Sequence, residues 1–156
     1  MIKDTLKLWG RLRIYRNNGS KQTLIFDEQN TIVNAGKLLV LDSINGDSTA
    51  SLSRIAIGNG NVPNISPLVT DTTIANEIDT SVFSSTTKDT VNRIIEYRVS
   101  FASSDITPGS IDPEEINEAA IFFDDGTMLS RKTFNARNFL IADSISLTFA
   151  WSVGVA

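Results

Sequence analysis

Carboxylates are the side chains in this chain whose grouping could do chemistry: Glu114, Glu115 and Glu118 fall together, and Asp124 stands beside Asp125. Such groups could serve as the acid and base of a glycosidase or could ligate Ca²⁺. The alternating acids of a Ca²⁺ loop are missing, however. Asp124-Asp125-Gly126-Thr127 between apolar runs is accounted for by turn chemistry, and Glu114-Glu115 after Pro113 by a solvated loop. The sequence holds no histidine and no cysteine, which rules out disulfides, thiolate zinc sites, histidine metal ligands and histidine-based triads. Gly58-Asn59-Gly60 follows an apolar run, but Val62-Pro63 stands where a dinucleotide-binding turn needs a third glycine and a helix. No Walker sequence and no G-x-S-x-G elbow occurs. No catalytic residue, metal ligand or cofactor-binding residue is expected, no cofactor is implied, and a binding or structural role follows.

A second constellation fits that role. Lys7, Trp9, Arg11, Arg13 and Tyr15 alternate with Leu8, Leu12 and Ile14, so they share one face of a strand, a mixture of Trp, Tyr and Arg that interfaces favour. Residues 1–16 carry a net charge of +4 within a chain of −4, leaving −8 on the remainder. A basic strand on an acidic body implies a negative contact, either the chain's own acids or those of a neighbouring subunit. Nucleic-acid readers are basic as whole domains, so no nucleic-acid partner is expected. Two readings of Trp9 stand: an interface residue, or a side chain packed under a helix. Trp151, on the apolar side of the last strand, reads as core.

The elements that must position these residues are mostly strands. With 156 residues, 41% hydrophobic and 21% charged, one domain over 1–156 is expected, with residues 1–27 as a basic N-terminal β-hairpin or arm and 28–156 as the body. Period-two patterns mark residues 5–15, with a bulge at Gly10, and 21–26 after the turn Asn17-Asn18-Gly19-Ser20. Further strands are expected at 52–58, 79–85, 91–101, 116–123 and 128–135, the last two joined through Asp124–Thr127, and at 144–153, where Ile145, Leu147, Phe149, Trp151 and Val153 face one way. One helix is predicted, capped by Asn34, with Leu38, Leu39, Leu41 and Ile44 at helical spacing and Asn45-Gly46 ending it; a shorter helical turn is expected over Thr72–Glu77. Residues 58–67 and 103–113 read as loops. The fold class is thus mainly β: an antiparallel β-sandwich of about eight strands with one main α-helix closing one end. The longest apolar runs, Leu38–Leu41 and Ala119–Phe123, fall far short of the roughly 20 residues of a membrane span, so a soluble chain with no membrane partner is expected. Met1–Leu6 lacks the apolar core of a secretory signal, and the sequons Asn18-Gly19-Ser20 and Asn64-Ile65-Ser66 read as turns.

Three segments carry a resemblance. Asn30-Thr31-Ile32-Val33-Asn34-Ala35-Gly36-Lys37-Leu38-Leu39 is similar to an N-x-I-V-N-x-G lead into a helix in small phage structural proteins. Ile55-Ala56-Ile57-Gly58-Asn59-Gly60-Asn61, with Ile74-Ala75-Asn76-Glu77-Ile78, is similar to an I-A-x-G-x-G … L-x-N-E stretch. Ile116-Asn117-Glu118-Ala119-Ala120-Ile121-Phe122, continuing through Asp125-Gly126-Thr127-Met128-Leu129-Ser130-Arg131-Lys132-Thr133-Phe134, is similar to an I-x-E-x-G-L-F … D-G-x-L-x-A hairpin. In this order they resemble the tail-collar fibre family of tailed bacteriophages, departing from it at Ala120, where that family often has glycine. The resemblance implies a non-enzymatic virion structural protein, with Gly58 and Gly60 forming a tight loop, Glu118 accepting from backbone donors, and the 116–135 hairpin offering an edge to another copy. Small size and the lack of heptads or fibre repeats point to a capsid decoration (cement) protein. It would bind the major capsid protein or other virion subunits as a homotrimer, localised to the virion and assembled in the bacterial cytoplasm, with Lys7, Trp9, Arg11, Arg13 and Tyr15 as its clasp. The alternatives are a tail-fibre or collar attachment module and, more remotely, a carbohydrate-binding β-sandwich stacking sugars on Trp9 and Tyr15.

Overall fold

A computed structural model describes residues 7–60, 65–102, 114–139 and 145–156, without the side chains of 114, 115, 136–139 and 145. The expected loop over 103–113, the leading residues 1–6 and the Asn64 sequon position lie outside the described residues. Ten strands and one helix follow in order: β1 (Leu8–Asn18), β2 (Lys21–Gln29), β3 (Thr31–Ile32), α1 (Asn34–Asn45), β4 (Leu52–Gly58), β5 (Glu77–Val82), β6 (Ser85–Asp89), β7 (Ile94–Ala102), β8 (Glu114–Phe123), β9 (Met128–Phe139) and β10 (Ile145–Val155).

The strands form two antiparallel five-stranded sheets, β2-β1-β10-β7-β6 and β3-β9-β8-β4-β5. A single apolar cluster joins them: Leu12, Ile14, Val99, Phe101, Phe149 and Trp151 from the first meet Ile55, Ile57, Ile121 and Leu129 from the second, together with Leu39 of α1. The chain is therefore a mainly β, sandwich-like fold, with Trp151 fully buried as its alternation predicts. β10 is central in its sheet, paired with β1 from Leu8↔Val155 to Asn18↔Ile145 and with β7 from Ser146↔Ala102 to Gly154↔Ile94.

The outward side of the second sheet is covered too. Ala56, Ala120, Phe122 and Met128 point away from the main core and are capped by Val33, Ala35 and Ile74, so β4 and β8 are apolar on both faces and do not alternate.

Several expectations need correction. Helix α1 begins at Asn34, with Val33 as an N-cap that makes no side-chain bond, although it does end on Gly46 in the left-handed conformation (φ 83°). Of its four spaced apolar residues only Leu39 is buried; Leu38, Leu41 and Ile44 are exposed. The β1–β10 register runs unbroken through Gly10↔Val153, and the irregularity of β1 lies between Ile14 and Tyr15, against β2. Gly10 instead gives room to the Asn30 side chain, which a Cβ would strike. Residues 72–76 form no helix, because Ala75 and Asn76 give their N–H groups to a carboxylate rather than to helix carbonyls. The β8 side of the 116–135 hairpin is taken by β4, while β3 covers β9 only at Ser130 and Arg131, so among the described strands none pairs with the outer edge of β9 beyond Arg131.

Candidate functional site

β1 places Trp9, Arg11, Arg13 and Tyr15 on the outward face of the first sheet, which no other described element covers. Their neighbours across β10 are Gly154, Ser152, Ala150 and Thr148, and beyond these on β7 stand Ile94, Glu96, Arg98 and Ser100. A strand of small side chains thus runs between two rows of long ones. The long ones fold over it, which is why Thr148, Ala150 and Ser152 are buried although they face outward.

The ionic pattern of this face is closed on itself. Arg11 donates to both oxygens of Asp27 at 2.5 and 2.9 Å, and Arg13 lies 3.5 Å from Asp27 and 3.9 Å from Glu96. Arg98 donates to Glu96 at 2.7 Å and carries its guanidinium over the Tyr15 ring, 5.3 Å from the centroid. The hydrogen bond from Arg11 holds the Asp27 carboxyl below the usual carboxylate range, and the same bond raises Arg11. Arg11 and Arg13 of the basic strand therefore pair with the chain's own acids. Trp9 lies flat on Gly154, where a Cβ would sit 2.4 Å from the indole, and so packs across the sheet rather than under α1. Trp9, Arg11, Arg13, Thr87 and Glu96 border a depression of about 260 Å³. Lys7 stands apart: it precedes β1, is exposed, exchanges backbone hydrogen bonds with Ala156 and lines a groove beside α1. Sequence reasoning missed Asp27, Glu96 and Arg98, because the acids that answer β1 lie on strands whose register no pattern in the sequence reveals.

The described candidate carboxylates, Glu118, Asp124 and Asp125, bind backbone donors. Glu118 is fully buried; Oε1 accepts from the N–H of Gly60 (3.2 Å) and Asn76 (3.0 Å), and Oε2 from the N–H of Ala75 (3.1 Å) and from Arg131 Nη2 (2.6 Å). Arg131 Nη1 reaches Asp71 at 2.7 Å. Burial works against the charge of Arg131, but its bonds to Glu118 and Asp71 outweigh it and hold the guanidinium above its usual value. Gly58 and Gly60 make the latch possible, since a Cβ on either would collide with the Asn76 backbone, at 2.4 Å from its carbonyl oxygen and 2.6 Å from its nitrogen. Asp125 accepts from the Thr127 N–H (2.8 Å), a turn role, whereas Asp124 accepts from the Ser51 N–H (3.3 Å) and so ties the hairpin to the residue before β4. The side chains of Glu114 and Glu115 lie outside the described residues. Among the described residues no three His, Cys, Asp or Glu side chains group as a metal site, and no helix is long and apolar enough to cross a membrane.

No family model matches this sequence, no curated protein matches it, and no solved structure matches its fold.

Proposed function

We propose that this chain is a non-enzymatic structural subunit of a tailed-phage virion, a decoration protein that binds the capsid shell through protein–protein contacts. One observation carries the reading. The three segments that resemble the tail-collar fibre family, separate in sequence, meet on one side of one sheet: Val33 and Ala35 from the first, Ala56 and Ile74 from the second, and Ala120, Phe122 and Met128 from the third make up the second apolar cluster. Beside it Glu118 and Arg131 of the third segment tie down Gly60, Ala75 and Asn76 of the second. Residues shared for a fold should contact one another in this way, whereas chance likenesses would scatter. Glu118 with Gly58 and Gly60 is committed to this latch, and Asp124 and Asp125 to backbone N–H groups, which favours assembly over catalysis at these residues.

The test is to image virions of a phage that carries this gene with a gold-labelled antibody to the chain, and to measure co-sedimentation of the purified protein with emptied heads. Label on the head and saturable binding are expected. Label confined to the tail would favour the collar-module alternative, and label on neither would overturn the virion reading. A carbohydrate-binding reading is favoured by one feature, the flat Trp9 beside Arg11, Arg13 and Glu96. Glycan-array binding abolished by Trp9→Ala in a folded variant would establish it.

A further inference from the structure

One end of the sandwich, where β1 begins and β10 finishes, is not closed. Leu8, Val153, Val155, Ile95 and Tyr97 lie on the core side of their sheet yet are only partly buried. They line a groove of about 420 Å³, and a second groove of about 620 Å³ runs from there to Leu41 and Ile44 of α1. Leu8 and Val155 border both, so the two form one continuous apolar mouth.

The charge around it is lopsided. The described ion pairs engage Arg11, Arg13, Arg54, Arg98, Arg131 and Lys132. Six described cations take part in none, Lys7, Arg16, Lys21, Lys37, Lys88 and Arg93, and four of these, Lys7, Lys37, Lys88 and Arg93, line the mouth. The one acid in its lining, Asp89, is occupied: its carboxylate accepts from the N–H groups of Val91 and Asn92 and from Asn92 Nδ2, closing the β6–β7 turn. In a protein of net charge −4, an apolar mouth ringed by unpaired cations selects a ligand that is apolar in the middle and anionic at its margins.

We propose that this mouth is a docking surface for a partner protein, into which the partner lays an apolar segment flanked by carboxylates. A small amphiphile fits poorly, because Leu41 and Ile44 stand 61% and 70% exposed on an open wall, whereas small-molecule sites enclose roughly 70–90% of their ligand. A symmetric second copy fits poorly too, because a two-fold contact would set the same four cations against themselves. The inference does not depend on the virion reading.

The experiment selects binders to the intact chain from a displayed library of random short peptides, then measures their affinity for the wild type, for Lys37→Glu with Lys88→Glu, and for Leu41→Ser with Ile44→Ser. All four positions are solvent-facing, and circular dichroism checks that both variants keep the fold. Enriched peptides should combine apolar and acidic residues, weaken as salt rises, and lose about tenfold or more in affinity for each variant, a free-energy change of about 1.4 kcal/mol per decade. No enrichment, enrichment of neutral or basic peptides, or affinity for either variant equal to that for the wild type overturns the proposal. So does self-association in sedimentation that Leu41→Ser with Ile44→Ser abolishes, which makes a second copy the occupant. So does peptide binding only after residues 1–6 are deleted, which makes the chain's own leading segment the occupant, or binding to anionic vesicles in place of peptides.

Discussion

Replacing Glu118 by Gln keeps the shape of the latch and removes its charge. Wild-type Glu118 is fully buried and holds three backbone N–H groups and Arg131 at 2.6–3.2 Å. Breaking a buried ion pair at one partner costs about 3–5 kcal/mol. Arg131 would retain Asp71 at 2.7 Å, which places the variant at the lower end, about 3 kcal/mol. The amide can still accept through its oxygen, but its NH₂ then faces N–H groups it cannot bond. For a domain of this size that loss lowers the melting temperature by about 6–12 °C. Urea unfolding followed by tryptophan emission measures it, since Trp151 is buried at the centre of the core; the midpoint should fall with an unchanged slope. Arg131→Met completes a double-mutant cycle, and the two changes should couple by about 1–3 kcal/mol. A cost for Glu118→Gln below about 1 kcal/mol, or additivity with Arg131→Met within about 0.5 kcal/mol, would refute the latch.

Three further outcomes follow from the same geometry. Gly58→Ala sets a methyl group 2.4 Å from the Asn76 carbonyl oxygen and should cost about 1–3 kcal/mol of strain, read as a lowered urea midpoint; an unchanged midpoint would show that the loop yields freely. Gly154→Val lifts the Trp9 indole off the sheet, so tryptophan emission should shift to the red in a folded protein, and an unshifted spectrum would place Trp9 elsewhere. The Asp27 carboxyl is held low by Arg11, so its stabilisation is complete above the ordinary carboxylate value near 3.9 and fades as pH falls toward its lower folded value. Melting temperatures of wild type and Asp27→Asn should therefore converge as pH drops from about 7 to 3, and a constant gap would exclude the linkage.

Alternation was enough to read β10, one side of which is core, and the β8–β9 hairpin was legible from its turn residues, since β8 is apolar on both faces and does not alternate. It failed at Glu118 for a geometric reason. A register irregularity between Ile116 and Glu118 separates the two residues: Ile116 joins the main core, while Glu118 lies with the outward-facing latch, although a perfect two-residue period would set both on one face. Lys7 precedes β1 and lines the groove beside α1, while the shared face of Trp9, Arg11, Arg13 and Tyr15 on that strand was readable. Their acidic partners on β2 and β7 were not, since register across strands far apart in sequence is decided by tertiary packing. The helix misled through its own composition: Leu38, Leu41 and Ile44 read as core by spacing, yet they face outward, because only one side of α1 rests on the sandwich.

The central place of β10 also sets the order in which the molecule can be completed. β1 spans residues 8–18 and pairs along its whole length with residues 145–155, so during synthesis the β1–β2 hairpin is made well before its partner strand and waits, with one edge unsatisfied, until residues 145–155 have left the ribosome. β7 waits for the same strand on its other side. Closure of that sheet is a late, long-range step, of the kind that folds slowly and leaves strand edges open to mispairing. The small outward side chains of β10, Ser146, Thr148, Ala150, Ser152 and Gly154, suit a strand that must slide last into a slot whose two walls are already built.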